Sequence, residues 1–140
     1  MEWAALISWI VTAGGGFVLL AIWISRGGMR QQGSGRQIRP WLILTHFGLA
    51  ASGLVLWIIY VFSDSDALAW IAFAILVAVA ALGWTMFAIW WQRRQAGAMA
   101  APASTSDAPA EQHFPVPIVA LHGLLAVTTV VLVLLAAIDV

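Results

Sequence analysis

Two histidines, His46 and His122, stand inside long apolar runs, and their type and spacing could do chemistry. An imidazole there can ligate a metal or carry a proton, and as a polar group in an apolar medium it needs a partner. Residues 43–59 read ILTHFGLAASGLVLWII and residues 119–135 read VALHGLLAVTTVVLVLL. With the histidines superposed, Leu49/Leu125, Ala50/Ala126, Val55/Val131 and Leu56/Leu132 coincide, and Ser52 meets Thr128. Pro40 and Pro117 precede the histidines by six and five residues. Two explanations stand at this point: letters shared by chance between apolar helices, or a duplicated helical hairpin. Each histidine also heads a stripe of small side chains at helical spacing, Ala50 and Gly53 after His46, Ala126 and Thr129 after His122.

The chain that must position them has 140 residues, 63% hydrophobic and 9% charged. A soluble globule carries roughly 25% charged residues. This composition excludes a soluble enzyme, a nucleic-acid binder and a disordered regulator, and makes the lipid bilayer the solvent. Formal net charge is zero, and all six basic residues are arginine. With no cysteine there is no disulfide, iron–sulfur cluster or thiolate site. The lysine-free, alanine-rich composition points to a GC-rich bacterial genome and hence a bacterial plasma membrane.

A spanning helix needs about 20 mostly apolar residues. Four stretches qualify: 3–25, 41–62, 67–91 and 118–138. They are too long and too uniformly apolar for barrel strands of about 10 alternating residues. The expected fold is an all-α integral membrane four-helix bundle, up-down-up-down, in a single domain. Arg26, Arg30, Arg36 and Arg39 lie in the first loop and Arg93 and Arg94 open the third, while Glu2, Asp64, Asp66 and Asp139 lie at the other ends. The positive-inside rule then puts loops 26–40 and 92–117 in the cytoplasm and both termini outside. Trp23, Trp41, Trp90 and Trp91 are expected as a cytoplasmic aromatic belt, with Trp3, Trp57, Tyr60 and Trp70 as the outer one. Met1-Glu2-Trp3 offers no basic start for a signal peptide, so the first span is read as retained. Residues 27–35 read as a flexible basic loop and 95–112 as a flexible polar linker.

No Asp, Glu, Lys or Arg lies inside a span, which argues against an ion-coupled transporter or proton pump. Spans two and four run parallel, so His46 and His122 fall at one depth. In a bundle with short loops these spans are diagonal, with axes roughly 12–14 Å apart given neighbour distances of about 8–10 Å. That separation is long for touching imidazoles and suits two imidazoles with a metal between them. Gly14-Gly15-Gly16, Ala80, Ala81 and Gly83 would leave room at that depth, and Arg36, Arg39, Arg93 and Arg94 stand where haem propionates would emerge.

This constellation resembles the membrane b-type cytochromes, in which paired histidines on parallel helices hold haem edge-on. The resemblance covers His46, His122 and their small-residue stripes, and implies at most one haem b. Fourteen residues beyond the histidines stand Tyr60 and Ala136, where two-haem members carry a second pair. More broadly the chain is similar to small four-span membrane proteins of high-GC bacteria, a likeness that assigns no activity. The competing reading makes both histidines structural, bonded to a carbonyl or to Thr45, Ser52, Thr85 or Thr129. A copper site lacks sulfur, since only Met86 lies near that depth. His113, beside Glu111, reads as a titrating interfacial histidine. No catalytic constellation is present, and Gly14-Gly15-Gly16 lies mid-span, where it is a packing feature. The sequence therefore carries two functions: a non-enzymatic accessory or scaffold subunit contacting a membrane-protein partner or a second copy, or a single-haem electron carrier using His46 and His122.

Overall fold

The computed structural model describes residues 1–30, 37–99 and 109–139. Among them are four long α-helices, α1 (Glu2–Ser25), α2 (Pro40–Ser63), α3 (Asp66–Met99) and α4 (Val116–Ile138), with 3-10 turns at Gly28–Arg30 and Ala110–His113 and no strand. All four are long and apolar enough to cross a membrane.

Local chemistry sets the ends. Gly27 takes φ 80° after α1, a left-handed conformation that glycine adopts without a Cβ penalty. Asp64 closes α2 at φ 50°, where a short acceptor side chain is tolerated, and its N–H donates to the Tyr60 carbonyl at 2.9 Å. Pro40 starts α2 and Pro117 falls in the first turn of α4, where no helical bond is lost.

α2 packs most extensively on α3 and α1 on α4, while the α1/α2 and α3/α4 seams are thinner. Trp57, late in α2, donates its indole N–H to the Glu2 carbonyl at the start of α1, and Ser8, early in α1, meets Thr129, late in α4. Sequential helices are therefore antiparallel neighbours, and α2 and α4 lie parallel on a diagonal.

The close packing is at the two ends. The acidic end holds Ala5, Trp9, Trp57, Tyr60, Leu76 and Val133; the arginine end holds Ile38, Leu42 and Trp90. Between them no residue in 13–22, 43–52, 80–89 or 116–128 is fully buried. The histidines belong to this layer of partly buried side chains, about 15–20 Å deep along each helix.

Four expectations need correction. α3 continues past 91 to Met99, because Gln92-Arg93-Arg94-Gln95-Ala96 are good helix formers that need not be apolar. The stretch 95–112 is thus helical to 99, and its far end is a 3-10 turn in which Ala110 and Glu111 are buried; Glu111 accepts the Ile38 N–H at 3.1 Å, tying the first and third loops together. In 27–35, Gly28–Arg30 forms a turn; residues 31–35 and 100–108 lie outside the described residues. The aromatic belts are half real: Trp3, Trp41, Trp70 and Trp91 are exposed, but Trp23, Trp57, Tyr60 and Trp90 are buried, filling the bundle ends that smaller side chains would leave open.

Gly28 packs on the Trp23 indole so closely that an added Cβ would fall within the ring. Gly28→Ala is expected to cost about 1–3 kcal/mol by overpacking. A lowered thermal midpoint in detergent checks this, and an unchanged midpoint would contradict the packing.

Candidate functional site

Thr12 and Val79 are inward positions on α1 and α3, and their carbonyls are the anchors of the site. His122 on α4 donates from Nδ1 to the Thr12 carbonyl at 3.0 Å. His46 on α2 donates from Nδ1 to the Val79 carbonyl at 3.0 Å. Four residues beyond each carbonyl stands a glycine. A Cβ on Gly16 would lie 3.1 Å from His122 Cε1, and one on Gly83 would lie 3.4 Å from His46 Cε1. Larger residues at these places would press on the rings. Gly15 also lies against His122, where a Cβ would stand 3.6 Å from its Cβ and Nδ1.

The structure thus brings the two histidines together. Their ring centroids are 6.5 Å apart, with planes at 65°. The hydroxyls do not supply the partners weighed from sequence. Ser52 and Thr85 bond the carbonyls four residues back on their own helices, and Thr129 joins Ser8 (2.8 Å) and Thr12 (3.0 Å) in a small cluster.

A carbonyl only accepts, so each Nδ1 carries a proton. In a neutral ring Nε2 is then an unprotonated lone pair. Two such lone pairs cannot bond one another, so any link between them needs a proton, a water or a metal. A backbone carbonyl on Nδ1 is also how metal-ligating histidines are oriented. Two imidazoles bound through Nε2 on opposite sides of one ion, with bonds of about 2.0–2.1 Å, have ring centres about 6.3 Å apart. The observed separation is close to that value. Among the described residues no group of three or more His, Cys, Asp or Glu could hold a bare ion. The arrangement suits a metal whose remaining ligands arrive with it, as in a macrocycle.

The other singled-out residues lie elsewhere. His113 ends the Ala110–His113 turn with a buried Nδ1 that has no hydrogen-bond partner among the described residues. Arg39 and Arg93 line an open cleft of about 730 Å³ between α2 and α3, with Trp41, Thr85 and Gln112. Arg94 lies over the Trp90 ring at 5.7 Å, and Arg36 is outside the described residues.

One signal in the sequence was stronger than the histidine alignment. At one constant spacing Trp3, Ala5, Thr12, Gly16, Ala21-Ile22-Trp23 and Arg26 match Trp70, Ala72, Val79, Gly83, Ala88-Ile89-Trp90 and Arg93. The bonds obey it: α2 to α3 in one half is α4 to α1 in the other. The duplicated hairpin is therefore the better account of the repeat. The carbonyl partners needed this register to be found.

What the fold and site define is an all-helical chain with four helices apolar enough to cross a membrane and a paired-imidazole centre between them. Comparison with family models, characterised proteins and solved structures finds no match to this chain.

In the cofactor-free protein, ¹⁵N NMR of the histidine rings is expected to show both His46 and His122 protonated at Nδ1 and not at Nε2. Either ring in the opposite tautomer would contradict its carbonyl bond.

Proposed function

We propose that this chain is a multi-pass membrane protein that holds one haem b between His46 and His122 and serves as a single-electron carrier. The observation that carries this reading is the pair of imidazoles whose Nδ1 atoms are committed to backbone carbonyls, so that Nε2 is the nitrogen each neutral ring has left for a ligand, with the ring centroids 6.5 Å apart. Bound there, haem supplies a one-electron couple tuned by its two axial imidazoles and by burial. Thr12 and Val79 fix which nitrogen of each ring is offered. Gly16 and Gly83 let the rings approach the helix backbones, and no fully buried side chain stands in the middle layer that holds them. The apolar ends keep water from that layer.

Purified from haem-replete cells, the protein should show a Soret band, lost in His46→Ala and in His122→Ala alike. Each variant leaves the iron one ligand short in an apolar layer. A colourless wild-type protein would overturn the reading.

A second reading is an accessory or scaffold subunit without a cofactor. It is favoured by Gly14, Gly48 and Gly123, which are exposed near the histidine depth on three helices, with nothing within 4 Å of an added Cβ. Small residues on an outward face let a partner helix approach closely. This reading expects a membrane protein or a second copy to copurify from mild detergent with a colourless chain.

In both readings the arginine-bearing loops 26–40 and 92–117 are cytoplasmic and both termini are outside. A reporter fused after Val140 should be active on the outer side; cytoplasmic activity would reverse the orientation.

A further inference from the structure

The arginine end of the bundle carries two indole donors that the fold leaves unpaired. Trp23 and Trp90 are 0% and 3% exposed. Among the described residues neither indole N–H has an acceptor. In lipid there is no water to relieve a buried donor, and Trp57, buried at the acidic end, does find a carbonyl. Both unpaired indoles occupy one place in the repeat, closing Ala21-Ile22-Trp23 on α1 and Ala88-Ile89-Trp90 on α3.

Their position relative to the histidines is fixed by helix geometry. Each tryptophan lies seven residues beyond the glycine that presses on an imidazole, Gly16 or Gly83. Seven residues make nearly two turns, so each shares that glycine's face, about 10.5 Å toward the arginine end. Both helices run toward that end, where the Trp23 indole packs on Gly28 in the turn after α1 and Arg94 covers the Trp90 ring. α1 and α3 are also the helices that flank the line from His46 to His122.

A flat group held between the two imidazoles lies across that line, with edges toward α1 and α3. Haem b carries two carboxylates side by side on one edge. We propose that Trp23 and Trp90 receive these carboxylates, one indole N–H donating to each. The proposal rests on the haem reading and deepens it: the indoles, and not the arginines expected from sequence, make the direct bonds. Arg39 and Arg93 line the open cleft, whereas Arg94 lies over the Trp90 ring and backs that indole with positive charge. Hydrogen bonds to a carboxylate are about twice as strong as neutral ones and give the site a direction, since they admit haem with one edge leading.

The test titrates the full-length protein in detergent with ferric haem and with its dimethyl ester, which keeps the iron and ring but lacks both carboxylates. Wild type should bind haem about 100-fold more tightly than the ester. Trp23→Phe and Trp90→Phe should each weaken haem binding roughly 10-fold, as expected for loss of one charge-assisted bond, and together bring the preference near unity. Ester affinity and Soret position should not change, because the axial ligands are untouched. A second measurement avoids substitution: with indole-¹⁵N tryptophan, two of the nine indole N–H signals should shift on adding haem and stay in place with the ester. Equal wild-type affinity for haem and ester overturns the clamp and leaves the haem reading standing. So does an unchanged preference in the double variant, or a preference lost in Arg39→Gln or Arg93→Gln instead. A wild-type protein that binds neither compound overturns both.

Discussion

A helix carbonyl accepts one hydrogen bond from the N–H four residues on and keeps a second lone pair that side chains usually cover. At Thr12 and Val79 that covering is removed, because the residue four positions on is glycine in both cases. The imidazoles of His122 and His46 take the second lone pairs at 3.0 Å. Much of the bundle follows from this pair of contacts. They draw α4 against α1 and α2 against α3, which are the two extensive seams. They fix the depth of both rings, their tautomer and, through the helix diagonal, the gap between them. A single methyl group at Gly16 would stand 3.1 Å from the ring it faces, so the site depends on the absence of a side chain as much as on the presence of the histidines.

The two halves share this plan and differ around it. Gly53 and Thr129 are equivalent buried positions on α2 and α4. Gly53 admits Trp9 and Ile75 to within 3.1 Å of where its Cβ would be. Thr129 instead bonds Ser8, Thr12 and its own Leu125 carbonyl. One half solves the close approach by apolar interlocking and the other by hydroxyls that satisfy one another, as lipid requires. One step further on, Trp57 and Tyr60 oppose Val133 and Ala136 at the same depth, large against small. A second centre like the first has no histidines there.

The four helices were legible because lipid solvation imposes a length and a composition that few other sequences meet. Their starts were legible from Pro40 and Pro117. The end of α3 was not, since an apolar run marks where lipid stops and not where hydrogen bonding stops. The buried half of the tryptophans was also hidden: Trp23 and Trp41 look alike in sequence, and only the facing of each helix separates a ring that anchors from a ring that fills. Both histidines, their common depth and their diagonal placement could be derived from span direction alone. Their partners could not, because a backbone carbonyl has no letter. The clue was the glycine four residues beyond it, and Gly16 was masked by its neighbours Gly14 and Gly15.

The distribution of packing gives the last step. Bundles in lipid gain little from apolar contact itself, so they hold together by close approach and by hydrogen bonds. This one concentrates both at its ends, with Ala5, Ala69, Ala72 and Ala137 at or near zero exposure. The middle would close most simply with leucines and no histidine. Instead it holds glycines and two imidazoles whose Nδ1 atoms are taken by backbone carbonyls, and no fully buried side chain. Two turns away stand two buried indoles with unmet donors. Ligating nitrogens at one level and indole donors at the next are complementary to one kind of guest. A group with a Lewis-acidic centre and an anionic edge, as proposed above, would engage both.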